Sequence, residues 1–169
     1  MREQLNTKHF GIGDALAMYR LVKKEGKFSE FAHILLDSET RVARNAAWIL
    51  THATDEELAL LHPMLTQLID IALHTNNESL RRLTLNIILR LPLAREDVRT
   101  DFLDFCLEHM VRLDTPPGTQ ALCMKIAHRL CSFYPELNDE FMRIIQSLDL
   151  SFYQPAVRCT VRNIMRGKC

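Results

Sequence analysis

The sequence predicts an all-α fold, a right-handed α-α superhelix in which antiparallel helix pairs stack as a solenoid. Three observations support this prediction. An apolar stripe with helical spacing recurs every 38 or 39 residues, a second helical stripe follows it, and turn-forming residues separate the two. Glycine and proline, 5 and 6 in the whole chain, are rare enough to leave uninterrupted helices between these turns.

The first helix of each predicted unit carries its stripe at offsets 0, 4, 7 and 8 from an anchor residue. The anchors, at intervals of 38, 39 and 38 residues, are Val42, Leu80, Thr119 and Val157. Offset 4 holds Ala46, Thr84, Cys123 and Val161, offset 7 holds Ile49, Ile87, Ile126 and Ile164, and offset 8 holds Leu50, Ile88, Ala127 and Met165. These offsets lie on one face of an α-helix, so each first helix presents one edge for burial.

A second helical stripe begins 18 or 19 residues after each of the first three anchors. Its members are Leu61, Leu65, Leu68 and Ala72, then Val98, Phe102, Phe105 and His109, then Leu137, Phe141, Ile144 and Leu148. Turns are predicted at 75–77, 114–118 and 132–134, and Pro135 suits the first position of the helix that follows. A helix–turn–helix unit repeated at nearly constant length is typical of a solenoid.

These units resemble the HEAT and armadillo-like helical repeat family, whose first helix usually sets an Asp five residues before a Val-Arg pair. The residues similar to this pattern are Asp37, Asp114, Leu80-Arg81 and Val157-Arg158, and the departures from it are Thr119, Ala43 and Gln120. The resemblance covers about residues 37–169 and implies a stack of helix pairs. It implies no single function, because arrays of this kind serve many unrelated roles.

The predicted organisation is a single helical-repeat domain over residues 1–169. Residues 1–36 fit the repeat less well and are interpreted as a degenerate N-terminal cap, a helix pair around the turn at 24–26. At the other end, Arg162 stands at offset 5, where the earlier units have Ala47, Leu85 and Met124. A polar residue at that position predicts the outer face of a capping unit.

Composition favours some classes of protein over others. The 21 Lys and Arg residues balance the 21 Asp and Glu residues, whereas a protein dominated by phosphate contacts usually has a basic excess. The 5 cysteines form no CxxC pair, which indicates reduced thiols. The first residues lack the apolar segment of a signal peptide, and no stretch has the roughly 20 apolar residues of a membrane span. We expect a cytoplasmic protein that does not cross a membrane.

Basic residues on the last helix are the first candidate binding surface. Arg158, Arg162 and Arg166 are spaced by four, Lys168 follows, and 151–169 contains no acidic residue. Such a stripe can bind phosphate or an acidic partner. The alternative interpretation is a solvated cap whose cations suit the C-terminal end of a helix.

A second candidate group consists of arginines near the starts of two successive first helices, namely Arg81, Arg82, Arg44 and Arg41. Stacked units could align them as a ladder. The alternative interpretation is pairing within the fold, with Glu78, Glu39 and the carboxylates of the turns. Solenoids commonly use such pairing within the fold.

Trp48, the single tryptophan, is a candidate binding anchor because it lies outside the buried stripe of its helix. The alternative interpretation is that it packs against the N-terminal helix pair, since tryptophan is usually largely buried.

Thiols and imidazoles occur at Cys106, His109, Cys123, His128 and Cys131. Their spacing does not converge on four tetrahedral positions, so no metal site is predicted.

The inner line of the second helices, Gln67, Asp104 and Arg143 followed by Asp70, Leu107 and Gln146, is mixed and slightly acidic. No catalytic residues and no cofactor are predicted, because the sequence has no phosphate-cradling glycine loop, HExxH or GxSxG motif. The leading hypothesis is a non-catalytic scaffold that binds another protein.

Two other functions remain open. The alternative hypothesis is nucleic-acid binding, because some HEAT-like proteins that resemble this chain act on alkylated DNA. The resemblance then implies a basic inner face with aromatic residues, and no matching site residues are found here. An enzyme with a pocket between units is the third hypothesis. The sequence leaves the partner, the oligomeric state and any catalytic activity undetermined.

Overall fold

The computed structural model describes residues 1–168, which form helices joined by turns and contain no β-strand. The predicted all-α class is therefore confirmed. The chain divides into two compact units, Met1–Pro92 and a second that begins at Leu93. The organisation of the whole chain as a single repeat domain stays a prediction.

The first unit contains seven α-helices and two short 3-10 turns. The helices are α1 (Arg2–Leu5), α2 (Ile12–Lys24), α3 (Phe28–Ala32), α4 (Thr40–Leu50), α5 (Asp55–Ala59), α6 (Leu65–His74) and α7 (Glu78–Arg90). The 3-10 turns are His33–Leu36 and His62–Met64. The first helices α4 and α7 pack against each other, and α6 packs against α7. This is the arrangement of a stacked helix pair.

The second unit contains four α-helices and two 3-10 turns. The helices are α8 (Thr100–Val111), α9 (Pro117–Cys131), α10 (Pro135–Ser147) and α11 (Pro155–Met165), and the 3-10 turns are Arg95–Asp97 and Leu150–Phe152. Helices α8, α10 and α11 all pack on α9, which makes α9 the centre of this unit. Proline begins α9, α10 and α11, where its missing N–H leaves no hydrogen bond unmade.

The predicted stripe of the first helices forms the core. All sixteen stripe residues in α4, α7, α9 and α11 are buried except Met165, which is 54% exposed. The four isoleucines at offset 7 occupy equivalent, buried places. Arg162 is exposed, whereas the apolar residues at offset 5 of the earlier units are fully buried.

The register of the second helices was predicted correctly only in the first helix–turn–helix repeat, which is anchored at Val42. There the four residues of the predicted stripe are buried. In α8 the buried residues are Phe102, Leu103, Cys106 and Met110, and in α10 they are Phe141 and Ile145. The predicted members Val98, Leu137 and Ile144 are half-buried instead, because they line a groove between α8 and α10.

The N-terminal helix pair is present as α2 and α3. The chain turns between them at Gly26, whose φ of +65° is the left-handed conformation that glycine adopts without strain. The short helix α1 was not predicted. It is tied to α4 by Asn45, which is fully buried and donates from Nδ2 to the Leu5 carbonyl oxygen at 2.7 Å.

Candidate functional site

Arg81 is directed into the turn between α6 and α7. Its Nε donates to the Ala72 carbonyl oxygen at 2.9 Å, Nη2 donates to the Thr75 carbonyl oxygen, and Nη1 pairs with Glu78 Oε2 at 3.1 Å. The guanidinium therefore satisfies carbonyl groups at the C-terminal end of α6, which a helix cannot satisfy by itself. That Arg81 also binds a partner stays a prediction.

Gln120 has the same role in the second unit. It stands one residue after its anchor, as Arg81 does, and its Nε2 donates to the carbonyl oxygens of Met110 at 3.2 Å and Arg112 at 3.1 Å. Sequence reasoning treated Gln120 as a departure from the family pattern. The structure explains the residue, because Gln and Arg both reach back to the end of the preceding helix with more than one N–H.

The arginines of the predicted ladder occupy different surroundings. Arg44 and Arg41 are half-buried and line one polar pocket with Lys8. Arg82 is exposed and does not line that pocket. The structure thus brings Arg41 and Arg44 together, and directs Arg81 elsewhere.

The basic stripe of α11 is on the surface. Arg162, Arg166 and Lys168 are exposed and Arg158 is half-buried. Among the acids of residues 1–168, none forms an ion pair with these four side chains. The stripe is therefore a surface of uncompensated positive charge.

Trp48 is half-buried on α4 and contacts the N-terminal region. Its ring lies 5.9 Å from the ring of Phe10, centroid to centroid, in an edge-to-face arrangement. Phe10 precedes the N-terminal helix pair, so packing of Trp48 against the pair itself stays a prediction. The part of the indole that remains accessible leaves its role as a binding anchor a prediction.

A groove with a largely apolar lining lies between α8 and α10 in the second unit. It has a volume of about 480 Å³. Its apolar lining comprises Leu103 and Leu107 from α8, Leu137, Phe141 and Ile144 from α10, and Cys131 from α9. We call it the α8–α10 groove. The lining also includes two exposed carboxylates, Asp104 and Glu140.

The charge of the α8–α10 groove is negative. Asp104 and Glu140 form no ion pair with any lysine or arginine of the described chain, and no lysine or arginine lines the groove. Burial, together with the Glu140 charge, raises the pKa of the Cys131 thiol to about 11. Arg95 stands nearby, with its guanidinium carbon 4.7 Å above the centre of the Tyr134 ring.

Cys131 and His128, beside this groove, lie in surroundings that favour their uncharged forms. With its raised pKa, Cys131 is a thiol at neutral pH, and the thiolate is the nucleophilic form. His128 stacks on Phe141 with ring centres 5.3 Å apart, and burial lowers its pKa, so it is largely neutral. In residues 1–168 no group of His, Cys, Asp and Glu side chains is arranged to hold a metal ion.

The sequence analysis predicted part of the lining of this groove. It placed Asp104 and Leu107 on the inner line of α8, and both line the groove. It placed Arg143 and Gln146 on the corresponding line of α10, and neither residue lines the groove. Leu103 was missed, and Ile144 was predicted in the buried stripe and not in a groove. Their spacing could have indicated the groove, since each lies four residues from another lining residue.

Comparisons with known proteins identify the repeat. A family model described as a HEAT repeat domain matches residues 1–168, which confirms the resemblance inferred from the repeat pattern. No curated protein and no solved structure matches the chain. A search of the described helices for a segment long and apolar enough to cross a membrane finds none.

Proposed function

Because this chain belongs to the HEAT repeat family, we propose that it is a non-catalytic scaffold whose α8–α10 groove binds a segment of another protein. The observation that supports the proposal most directly is a groove with apolar walls and two carboxylates that have no basic partner. Its volume of about 480 Å³ falls within the roughly 300–1,000 Å³ of ligand pockets.

The proposed occupant is an amphipathic helix with apolar residues on one face and lysine or arginine beside them. Leu103 and Leu107 are one turn apart on α8, and Leu137, Phe141 and Ile144 are one turn apart on α10. Two such rows, one on each wall of the groove, can accept the apolar face of a third helix. Asp104 and Glu140 favour a basic partner and repel an acidic one.

The first experiment compares two fluorescent peptides on the full chain by anisotropy, an amphipathic Leu/Lys helix and a Leu/Glu helix with the same apolar face. We expect the Leu/Lys peptide to bind more tightly. Leu107→Lys should abolish that binding. Asp104→Asn combined with Glu140→Gln should weaken it about tenfold, equivalent to about 1.4 kcal/mol.

Leu113→Lys is the matched control, because Leu113 is 62% exposed and lies outside the groove. It should leave the affinity unchanged. Equal affinity for the two peptides, or an equal loss in Leu107→Lys and Leu113→Lys, would contradict the proposal.

The second candidate function is nucleic-acid binding, supported by the uncompensated stripe of Arg158, Arg162 and Arg166 on α11. Binding through this stripe would fall steeply as salt is raised, because each phosphate contact releases a counterion. An electrophoretic shift with duplex DNA at low and moderate salt tests it, with the triple Gln variant of the stripe as the control. A relation to alkylated-DNA repair has no further support from the residues of either unit.

A cytoplasmic location is part of the proposal. It is supported by the four cysteines of the described chain, Cys106, Cys123, Cys131 and Cys159, which all carry free thiols. Localisation of a fluorescent fusion of the full chain tests it.

A further inference from the structure

We propose that the N-terminal end of α4 carries a second binding site, for a phosphate monoester dianion, formed by Lys8, Arg41 and Arg44. These three cations line a polar pocket of about 350 Å³, which we call the α4 pocket. Thr40 and Asn77 also line it and supply polar side chains. This site is separate from the α8–α10 groove and does not depend on the function proposed for that groove.

The cations of the α4 pocket lack the acidic partners that other arginines of this unit have. Arg2 pairs with Asp37, Arg81 with Glu78 and Arg90 with Asp55. Arg41, by contrast, contacts the neutral Asn6 side chain, with Nη1 3.4 Å from Oδ1.

Arg44 and Lys8 form no hydrogen bond or ion pair with any described residue. Arg44 is nevertheless half-buried, as Arg41 is. Half-buried guanidinium groups are partly removed from water, so an anion at this position would gain from their attraction.

The charge of the pocket matches a dianion. Glu39 is the one acid among its lining residues, so three positive charges stand against one negative charge. Glu39 is also the N-cap residue, which directly precedes α4, and its side chain makes no capping hydrogen bond there. The positive end of the α4 helix dipole also favours an anion at this end of the helix.

The compactness of the pocket favours a terminal phosphate group over a nucleic-acid strand. A strand requires a row of cations along a groove, with aromatic side chains for its bases. In the α4 pocket three cations line one small depression, and two of them are guanidinium groups, which can bind phosphate oxygens in pairs. A phosphorylated serine or threonine and free phosphate share this chemistry.

The test is isothermal titration of the full chain at constant ionic strength with inorganic phosphate, a phosphoserine tripeptide and its unphosphorylated form. We expect saturable binding of phosphate and the phosphopeptide, and none of the unphosphorylated peptide. Tighter binding of the phosphopeptide than of phosphate would assign the site to a phosphorylated protein, and equal binding would assign it to free phosphate. Both results support the proposal.

Arg44→Gln should weaken phosphate binding about tenfold. Arg82→Gln is the matched control, because it removes the same charge at the same repeat position, from an exposed side chain outside the pocket. It should change the affinity less than about twofold. Lys8→Gln, on an exposed residue, is a second variant should Arg44→Gln fail to fold.

Three results would overturn the proposal. The first is no saturable phosphate binding, and the second is an equal loss in Arg44→Gln and Arg82→Gln. The third is tighter binding of oligothymidylate than of phosphate with the same dependence on Arg44, which would assign the pocket to a nucleic-acid backbone instead.

Discussion

The Tyr19 hydroxyl donates a hydrogen bond of 2.6 Å to Glu57 Oε2, which ties α2 to the start of α5. Lys23 Nζ lies 2.9 Å from the other carboxylate oxygen, and the Thr54 backbone N–H donates to Oε2. The hydrogen bond from Tyr19, then that from Thr54, lower the pKa of Glu57 to about 2. The Glu57 carboxylate thus joins α2 of the N-terminal helix pair to α5, within the first compact unit.

This arrangement predicts acid sensitivity of the first unit. The folded pKa of Glu57, about 2, lies below its ordinary value of 4.5, so its contribution is complete above pH 4.5 and is lost as the pH falls towards 2. Glu57→Gln should cost about 1–2 kcal/mol at pH 7 and less at pH 3. Urea unfolding at both pH values measures the difference. Glu56→Gln, on the exposed neighbour, is the control, and an equal cost at both pH values would contradict the assignment.

A buried hydroxyl in α7 gives the second prediction. Thr84 is fully buried, and its Oγ1 has no hydrogen-bond partner among residues 1–168. Thr84→Val replaces the hydroxyl with a methyl group of similar size and should stabilise the protein by about 1 kcal/mol. Thermal unfolding measures this change.

The repeat supplies the converse experiment for Thr84. Val161 occupies the same offset in α11 and is also buried. Val161→Thr should destabilise the protein by about 1–3 kcal/mol, since it buries a new hydroxyl. If Thr84→Val instead leaves the stability unchanged or lowers it, the Thr84 hydroxyl is hydrogen-bonded in solution and the prediction is wrong.

The third prediction concerns Arg81 and its neighbour Arg82. Arg81→Met removes the donors to Ala72 and Thr75 and should lower the free energy of unfolding by about 1–3 kcal/mol. Arg82→Met, on an exposed side chain, should change it by less than about 0.5 kcal/mol. Urea unfolding distinguishes the two. If Arg82→Met costs as much as Arg81→Met, then Arg81 does not owe its importance to the turn.

The first-helix stripe could be predicted because it is a local property. Offsets of 4, 7 and 8 fall on one helical face whatever the helix packs against, so Ile87 and Ile126 are equivalent in sequence and in structure. The capping role of Arg81 and Gln120 could not be predicted in this way. It depends on the path of the preceding turn, which brings carbonyl oxygens within reach of a side chain on the next helix.

The lining of the α8–α10 groove was predicted only in part, because helical periodicity is a local property. Periodicity distinguishes an apolar face from a polar one, but it does not show whether an apolar face is closed or open. Leu137 and Ile144 were expected in the core, and they are half-buried because α8 and α10 each pack on α9 and leave a groove between them. The α4 pocket likewise required the fold, since Lys8 lies far from Arg44 in sequence.

Thiol reactivity gives the last prediction, and it tests whether α10 stays packed on α9. Cys159 is exposed, whereas burial raises the pKa of Cys131 to about 11 and also raises the pKa of Cys106. At neutral pH iodoacetamide should therefore alkylate Cys159 first, with Cys131 at least about tenfold slower, because the thiolate is the reactive form. Peptide mapping by mass spectrometry follows each site separately. If Cys131 reacts as fast as Cys159, then α10 opens from α9 readily, and the volume of the groove in solution exceeds about 480 Å³. If Cys131 is slow and the Leu/Lys peptide slows it further, the peptide lies over the thiol, as the proposed docking mode requires.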